Sequence, residues 1–342
     1  MTKYRIIAAL YIGLIVLLLS ACKKKEPDPE YKKYMTGVLN QDVPGYLYMN
    51  KNYTFTAWGI NQPQEGLGYT WIAPGFTPDT CRTQTFACVS PPVTGNYTVT
   101  ITVSCEEYYD IIATQIVVVI DSLFWNCLSG ITEGTDTVTD SRDQQLYHTR
   151  TYGPLEWFVQ NLNWAGAGYP YAKAEALSTP FGRLYSWNQA TGGTAASGLG
   201  QGPQGVCPPG WSVPTNEDWA SLATVINGGA PLSFFDDWNH IAAPLCAYAK
   251  LNDTHIWPYS PRNTKNNQAG WNGLPGGNST NYGNNYGLYG SYGFWLSSSQ
   301  SDADNGYYRY IYYDFDRFPY HATHKDAFGA SVRCVRLIHD PQ

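Results

Sequence analysis

The sequence predicts two folded regions rich in β-structure: an all-β sandwich toward the N-terminus and an α+β domain with few helices toward the C-terminus. Its 342 residues exceed the length of one ordinary domain. Tyr and Trp number 28 and 12 while charged residues make up only 14% of the chain, which favours strands and aromatic contact surfaces. Apolar residues alternate with a period of two in several segments, and the spacing of an amphipathic helix is found at residues 215–226.

Residues 1–21 are predicted to be a signal peptide. Lys3 and Arg5 precede an apolar run of about 14 residues, which is too short to cross a bilayer as a helix. This length disfavours the alternative, an N-terminal transmembrane anchor. The run ends in LSAC, which resembles the lipobox of bacterial lipoproteins. That resemblance implies that Cys22 becomes the first residue of the mature chain and carries the lipid.

Residues 22–34 are charged, contain prolines and offer almost no apolar side chain, so they predict a lipid-anchored tether that does not pack. Lys23 follows the lipidated cysteine, which in the Gram-negative lipoprotein pattern indicates the outer membrane. The mixed charge of the tether resembles the surface-export signals of Bacteroidetes lipoproteins, which implies that the protein faces the cell exterior. The expected partner at this end is therefore the membrane, reached through the N-terminal lipid.

The charge balance argues against nucleic acid as a partner. The chain carries 21 Lys and Arg against 27 Asp and Glu, a net charge of −6, and no basic block occurs beyond the tether. Binding to nucleic acid or to sulfated polymers derives mainly from Lys and Arg that neutralise the anionic backbone. We therefore expect no nucleic-acid partner.

Residues 35–121 predict an all-β sandwich with an immunoglobulin-like or PKD-like arrangement, and its expected role is a spacer. TGNYTVTITVS (94–104) alternates apolar residues with threonine, as a half-buried strand does, and IIATQIVVVID (111–121) follows after a short turn. YTFTAWGI (53–60) and YTWIAPG (69–75) add two earlier strands. No pattern in this region indicates a helix.

The cysteine count limits the disulfide map. The chain has eight cysteines, and lipidation of Cys22 leaves an odd number, so at least one cannot pair within the chain. An exported protein permits disulfides, and one pair is expected within the N-terminal sandwich. The sequence leaves the pairing of five cysteines open: Cys81, Cys88, Cys105, Cys127 and Cys246.

Residues 122–139 mix Ser, Thr, Gly and Asp, which fits a linker or short edge strands, and the second domain is predicted over residues 140–339. Within it, Thr215 is a good helix N-cap, and Asp218 three residues later completes a capping box. Apolar side chains follow at helical spacing: Trp219, Leu222, Ala223 and Ile226. Gly228 and Gly229 end this helix.

The last part of the chain predicts strands. GFWLSSSQ (293–300) and YYRYIYYDFD (307–316) are separated by SDADNG, whose Asn-Gly pair at 305–306 predicts a hairpin turn. FGASVRCVRLI (328–338) is the closing strand.

Six motifs in the second domain, in the same order along the chain, resemble the Fibrobacter succinogenes major paralogous domain, a family of exported proteins of Bacteroidetes and Fibrobacteres. The motifs are DSRDQQLYHTRTYGPLEWFVQNLNW (140–164), GRLYSWNQA (182–190), CPPGWSVPTNEDWASL (207–222), GWNGLPGG (270–277), GFWLSSS (293–299) and SVRCVR (331–336). The family is in turn similar to C-type-lectin-like and formylglycine-generating-enzyme-like domains. This implies helices that flank a twisted antiparallel sheet, with the two ends of the domain close together.

Cys207 is predicted to be structural. It has no neighbouring histidine, no second cysteine at metal-binding spacing and no helix N-terminus to activate its thiol. Its partner is predicted to be Cys334 in the motif SVRCVR. The disulfide would close a loop of about 127 residues, for which the chain-entropy estimate is roughly 4 to 5 kcal/mol.

The sequence offers no catalytic constellation, so we expect a protein that is not an enzyme and uses no cofactor or metal. His-Glu-x-x-His, Gly-x-Ser-x-Gly and Cys-x-x-Cys are all missing. Gly200, Gly202 and Gly205 match a dinucleotide-binding pattern without its strand and helix, so residues 192–205 are interpreted as a flexible insertion. Asp302 and Asp304 imitate only the start of a calcium loop. The sugar-binding triplets of calcium-dependent lectins are also missing.

The segment between residues 252 and 292 is the predicted ligand-binding region. It combines aromatic rings, on which sugars stack, with amides that bind hydroxyls, although a long structured loop needs the same residues. The candidate ligand-binding residues are Trp257, Tyr259, Asn266, Asn267, Trp271, Tyr282, Asn284, Asn285 and Tyr286.

Together these patterns predict a surface-exposed outer-membrane lipoprotein that acts as a non-enzymatic binding or adhesion module for a glycan or a cell-surface protein. Three alternatives remain. The protein could be a fimbria-associated or tip subunit, an enzyme of unknown type on a formylglycine-generating-enzyme-like scaffold, or a purely structural component of the envelope.

Overall fold

A computed structural model describes residues 31–338. The predicted signal peptide, the lipidation of Cys22 and most of the tether lie outside the described residues. Within residues 31–338, every helix is too short or too polar to cross a bilayer.

Eight strands between residues 36 and 120 form two sheets, which we call the N-terminal sheet pair. The strands are β1 (Thr36–Gln41), β2 (Tyr46–Tyr48), β3 (Asn52–Gln62), β4 (Gly68–Ile72), β5 (Thr80–Cys81), β6 (Thr85–Val89), β7 (Gly95–Ser104) and β8 (Ile111–Ile120). The sheet orders are β1-β3-β6 and β2-β8-β7-β4-β5. Neighbouring strands are antiparallel except β2 and β8, which are parallel. The four strands that the sequence predicts are all present.

Alternation of side chains builds one core between these two sheets. Val99, Ile101 and Val103 of β7 are buried, while the threonines between them face outward. They meet Phe55 and Trp71, which are fully or almost fully buried in the same apolar cluster. The period of two in the sequence therefore corresponds to one buried and one solvent-facing side of the sheet.

The disulfide expected in this region does not form. Cys81, Cys88 and Cys105 are all free thiols in the structure. Cys81 lies on β5 of one sheet, Cys88 lies on β6 of the other, and Cys105 follows the end of β7. Burial raises the pKa of Cys88 to about 11, so this thiol stays protonated and inert at neutral pH.

The remainder of the chain contains short helices and fourteen further strands in the described region. The helices are α1 (Phe124–Cys127), α2 (Ser178–Phe181), α3 (Trp187–Thr191), α4 (Asn216–Ile226) and α5 (Ala242–Leu245), with 3₁₀ turns at Tyr171–Lys173 and Glu175–Leu177. The strands are β9 (Leu128–Ser129), β10 (Asp136–Thr139), β11 (Leu146–Tyr152), β12 (Leu155–Phe158), β13 (Tyr185–Ser186), β14 (Lys250–Leu251), β15 (Thr254–His255), β16 (Asn278–Thr280), β17 (Asn285–Gly287), β18 (Tyr292–Gln300), β19 (Asn305–Tyr312), β20 (Tyr320–His324), β21 (Phe328–Ala330) and β22 (Val335–Leu337).

These strands form four antiparallel sheets, in the orders β10-β11-β12-β22, β13-β21-β16-β17, β15-β14-β9 and β18-β19-β20. The first sheet joins both ends of the region, because Leu155 of β12 pairs with Leu337 of β22. The segment 122–139 contains short strands, one of the two forms that its composition predicted. Strand β9 pairs with β14, and β10 pairs with β11. The chain as a whole is therefore mostly β, with few helices.

Tryptophans dominate the main core of this C-terminal region. Trp157, Trp219, Trp271 and Trp295 are fully buried in one cluster. Their rings touch edge to face or at a tilt, with centroids 4.8 Å apart for Trp157 and Trp219 and 4.9 Å apart for Trp271 and Trp295. Trp219 comes from α4 and Trp295 from β18, so the cluster fixes the helix against the sheet.

The predicted disulfide between Cys207 and Cys334 is present, with Cα atoms 5.7 Å apart. It joins the turn before α4 to the segment before β22, in a fully buried environment. The bond closes a loop with a sequence separation of 127 residues. Closing such a long loop reduces the entropy of the unfolded chain, which in the entropic model stabilises the folded state by about 5 kcal/mol.

Candidate functional site

Two of the predicted ligand-binding residues belong to the core. Trp257 and Trp271 are both 0% exposed. The Trp257 indole donates a hydrogen bond to the Gly273 carbonyl at 3.0 Å, and Trp271 packs 5.9 Å from Trp219. The prediction that these two rings bind a ligand is wrong, because the aromatic core they fill leaves no face open to solvent.

Asn267 is also structural. Its Nδ2 donates to Asn272 Oδ1 at 2.7 Å and to Thr132 Oγ1 at 3.1 Å, and its Oδ1 accepts from the Asn272 backbone at 2.9 Å. These bonds tie the segment before β10 to the loop that carries Trp271. The predicted ligand-binding role of Asn267 is therefore corrected, because the residue is buried and its amide is fully used by the fold.

The other predicted residues reach the surface but do not converge. Tyr259 is 77% exposed beside a cavity of about 310 Å³, and Asn266 lines another of about 480 Å³. Tyr282 is 63% exposed beside a third cavity, of about 350 Å³. Asn284 and Asn285 are exposed and Tyr286 is half-buried, its ring 5.5 Å from that of Tyr171. The structure thus distributes these side chains over separate surfaces.

A wider open cavity in the C-terminal region is lined by other residues, and we call it the aromatic cavity. Its volume is about 650 Å³. Its lining combines aromatic rings, which we call the aromatic wall, with small and polar side chains, and five separate segments of the chain contribute to it. The lining residues are Ala195, Ala196, Ser197, Asn216, Glu217, Ala220, Ser233, Phe234, Phe235, Ser299, Gln300 and Tyr307.

The aromatic wall is built by the loop after α4 and by β19. Phe235 is 55% exposed, and its ring centroid lies 5.6 Å from that of Tyr307. Phe234 beneath it is buried and lies 5.5 Å from the same tyrosine, edge to face. Phe235 and Tyr307 therefore offer a ring surface to solvent that is backed by packed aromatic side chains.

Buried Arg309 holds this loop on the sheet. Its guanidinium donates hydrogen bonds to the carbonyls of Phe234, Asp236 and Phe318. The guanidinium also lies 4.5 Å from the centre of the Phe234 ring, a cation–π contact. Burial lowers the pKa of Arg309 to about 8. Its place is set by strand alternation, since Arg309 and Tyr307 share one side of β19.

The polar wall is built on the first turn of α4. Thr215 caps the helix, accepting a hydrogen bond from the Asp218 backbone, and the Asp218 carboxylate accepts from the Thr215 backbone. Burial raises the pKa of Asp218 to about 6, against the effect of its hydrogen bonds. The predicted capping box thus exists, and it places Asn216 and Glu217 at the cavity.

Residues 195–200, inside the predicted insertion, are fastened to the same helix turn. The Gly198 N–H donates to Glu217 Oε2 at 2.9 Å, and the Gly200 N–H donates to Asp218 Oδ1 at 2.7 Å. Thr215 Oγ1 donates to the Gly198 carbonyl at 3.0 Å. The rim of the aromatic cavity is therefore held in place by the helix N-terminus, although its glycines predicted flexibility.

Within residues 31–338, no group of three or more His, Cys, Asp or Glu side chains is arranged to hold a metal ion. Glu217 is the single carboxylate among the described residues that line the aromatic cavity. The arrangement provides ring stacking, hydrogen bonds from amides and hydroxyls, and one negative charge.

The family model described as the Fibrobacter succinogenes major domain matches residues 140–336, more than half of the chain. The chain belongs to this family. The predicted family is thereby confirmed, and all six motifs lie within the matched residues. No curated protein matches the chain. All residues that line the aromatic cavity lie inside the matched Fibrobacter succinogenes major domain.

Sequence reasoning missed the cavity residues of this Fibrobacter succinogenes major domain, although two signals were visible. Strand alternation separates Tyr307 from Tyr308 and assigns them to opposite sides of β19. Phe234 and Phe235 are adjacent in a loop, where both rings cannot enter one core, so one exposed ring was to be expected. Neither signal shows that these segments meet Asn216 and Glu217, since that depends on the tertiary fold.

Proposed function

We propose that this protein is a surface-exposed outer-membrane lipoprotein whose major domain binds glycans without catalysing a reaction. The observation that carries the proposal is the aromatic cavity, which is lined by Phe235 and Tyr307 together with Asn216, Glu217 and Gln300. Sugars present apolar faces that stack on rings and hydroxyls that bond to amides and carboxylates. An open cavity of about 650 Å³ suits a short oligosaccharide segment.

The location rests on the N-terminal sequence. A signal peptide with a lipobox at Cys22 supports lipid anchoring, and Lys23 supports the outer membrane. The N-terminal sheet pair, two sheets around one core, supports an immunoglobulin-like or PKD-like spacer. The meeting of both ends of the major domain in one sheet supports a C-type-lectin-like or formylglycine-generating-enzyme-like arrangement.

The absence of catalysis is part of the proposal. Glycoside hydrolysis commonly requires two carboxyl groups on either side of the scissile bond. Glu217 has no second carboxyl group among the described residues that line the cavity, and its Oε2 is engaged by Gly198. This side chain is better placed to bind a hydroxyl or an amide than to transfer protons.

A glycan array tests the proposal, probed with the chain without its signal peptide, in the presence and absence of calcium. We expect binding to a defined set of glycans that does not depend on calcium. Tyr307→Ala and Phe235→Ala should each weaken that binding about tenfold or more, because each removes a stacking surface. Tyr259→Ala is the matched control, an exposed ring at a different cavity, and should bind as the unmodified chain does. Lack of binding to every glycan would refute the proposal.

A further inference from the structure

We infer that the aromatic cavity selects neutral N-acetylated sugars, a refinement that rests on the proposed glycan-binding function. An acetamido group has three requirements that a plain hydroxyl lacks. Its methyl group needs an apolar contact, its carbonyl oxygen needs a donor, and its N–H needs an acceptor. The small and polar residues that line the cavity offer all three.

Three alanines supply the apolar contact. Ala195, Ala196 and Ala220 line the cavity next to the first turn of α4. The loop carrying Ala196 is fixed to β18, because its N–H donates to the Ser298 carbonyl at 3.1 Å and its carbonyl accepts from Ser299 Oγ at 2.7 Å. These small side chains therefore give the cavity an apolar surface, and at Ala196 the backbone that carries it is held in place.

Asn216 supplies the donor. Its Oδ1 accepts a hydrogen bond from Ser297 Oγ at 2.6 Å, while Ser297 Oγ in turn accepts from the Ser299 N–H at 3.2 Å. The hydroxyl hydrogen of Ser297 thus points to Asn216, which fixes the orientation of the amide. Among residues 31–338 no hydrogen bond engages Asn216 Nδ2, and Asn216 is one of the residues that line the cavity.

Glu217, the next residue, supplies the acceptor. Its Oε2 accepts from the Gly198 N–H, which leaves Oε1 for a ligand N–H. The same charge disfavours uronic and sialic acids, since a second carboxylate at the cavity would be repelled.

Calorimetric titration of the chain without its signal peptide tests this assignment, with oligosaccharides of N-acetylglucosamine compared with glucose oligosaccharides of equal length and linkage. We expect the N-acetylated series to bind about tenfold tighter or more, because buried polar groups left unpaired by the wrong ligand are costly. Asn216→Asp keeps the acceptor for Ser297 but loses the donor, and Ala220→Val adds two methyl groups where the acetamido methyl would make its apolar contact. Both variants should lose the preference, so that the ratio of the two affinities falls to about one.

Glu217→Gln is the companion variant. It retains an oxygen acceptor without the charge, so the preference for N-acetyl groups should persist while binding of sialylated oligosaccharides improves. Equal affinity for both neutral series in the unmodified chain would overturn the N-acetyl assignment and leave the glycan proposal intact. Binding to neither series, with no hit on the glycan array, would refute both the N-acetyl assignment and the proposed glycan-binding function. Circular dichroism and thermal unfolding of each variant establish that it is folded.

Discussion

Arg309 and Arg333 are fully buried cations that are bound by carbonyl and amide oxygens rather than by carboxylates. Arg333 donates to Asn161 Oδ1 at 2.7 Å and to the carbonyls of Phe158, Trp271 and Asn272. Burial lowers its pKa to about 9. Each guanidinium therefore gathers main-chain groups that a loop cannot satisfy by itself. Arg309 does this for the loop that carries the aromatic wall of the cavity.

Replacing Arg309 tests this role at the level of one residue. Arg309→Met keeps the length of the side chain but leaves the carbonyls of Phe234 and Phe318 buried without a donor. We expect the free energy of unfolding to fall by about 3 kcal/mol, measured by urea denaturation. Arg317→Met is the matched control, because Arg317 is partly exposed and forms a long ion pair of 3.6 Å with Asp237. This substitution should lower the free energy of unfolding by less than about 1 kcal/mol. Equal losses for the two variants would contradict the proposed role.

At the level of elements, local sequence rules predicted helix α4 well and its hairpin neighbour only in part. The capping box of Thr215 and Asp218 involves residues three apart, so the sequence alone contains it. The β18–β19 hairpin exists, but Asn305 and Gly306 lie within β19 rather than in the turn. Asp302 forms the turn instead, since its carboxylate accepts from the backbones of Asp304 and Asn305 at 2.9 Å.

Gly306 illustrates why other features of the fold and the site could not be predicted from the sequence. A Cβ atom there would lie 2.2 Å from Trp187 Cδ1, so glycine is required by packing against α3 and not by the turn. Such a contact between residues far apart in sequence leaves no local pattern. The aromatic cavity likewise depends on contacts between segments that are far apart in sequence. Nor does the sequence distinguish the buried rings of Trp257 and Trp271 from exposed rings that bind a ligand.

The helix cap also predicts a pH dependence of stability. The pKa of Asp218 is raised from 3.8 to about 6 by burial in the folded state, so folding favours its protonated form. Its contribution to stability is therefore complete below about pH 4 and is lost as the pH rises through about 6, by at most about 3 kcal/mol. Urea unfolding at pH 4 to 7 should show this slope in the unmodified chain. Asp218→Asn cannot ionise and should flatten it, whereas unchanged slopes would show that Asp218 is not responsible.

At the level of the whole molecule, the N-terminal sheet pair is joined to the major domain by a shared apolar cluster. Ile120 at the end of β8 packs with Phe124, Leu177, Phe181 and Leu251. Hydrogen bonds reinforce the junction: Tyr48 donates its hydroxyl to the Glu175 carbonyl at 3.0 Å, and Asn252 Nδ2 donates to the Val119 carbonyl at 3.0 Å. The sheet pair is therefore connected to the major domain by packing and hydrogen bonds as well as by the chain itself.

This junction predicts that stability and binding respond differently to the same change. Ile120→Ala should lower the free energy of unfolding by about 3 kcal/mol, because it opens a cavity in the shared cluster. Ile72→Ala makes the same substitution on the outer face of the sheet pair, where the side chain is 47% exposed, and should cost under about 1 kcal/mol. Neither should alter glycan affinity, since the described residues that line the aromatic cavity all lie between Ala195 and Tyr307. If Ile120→Ala weakened binding in protein that is still folded, the sheet pair would be part of the binding mechanism and not a spacer.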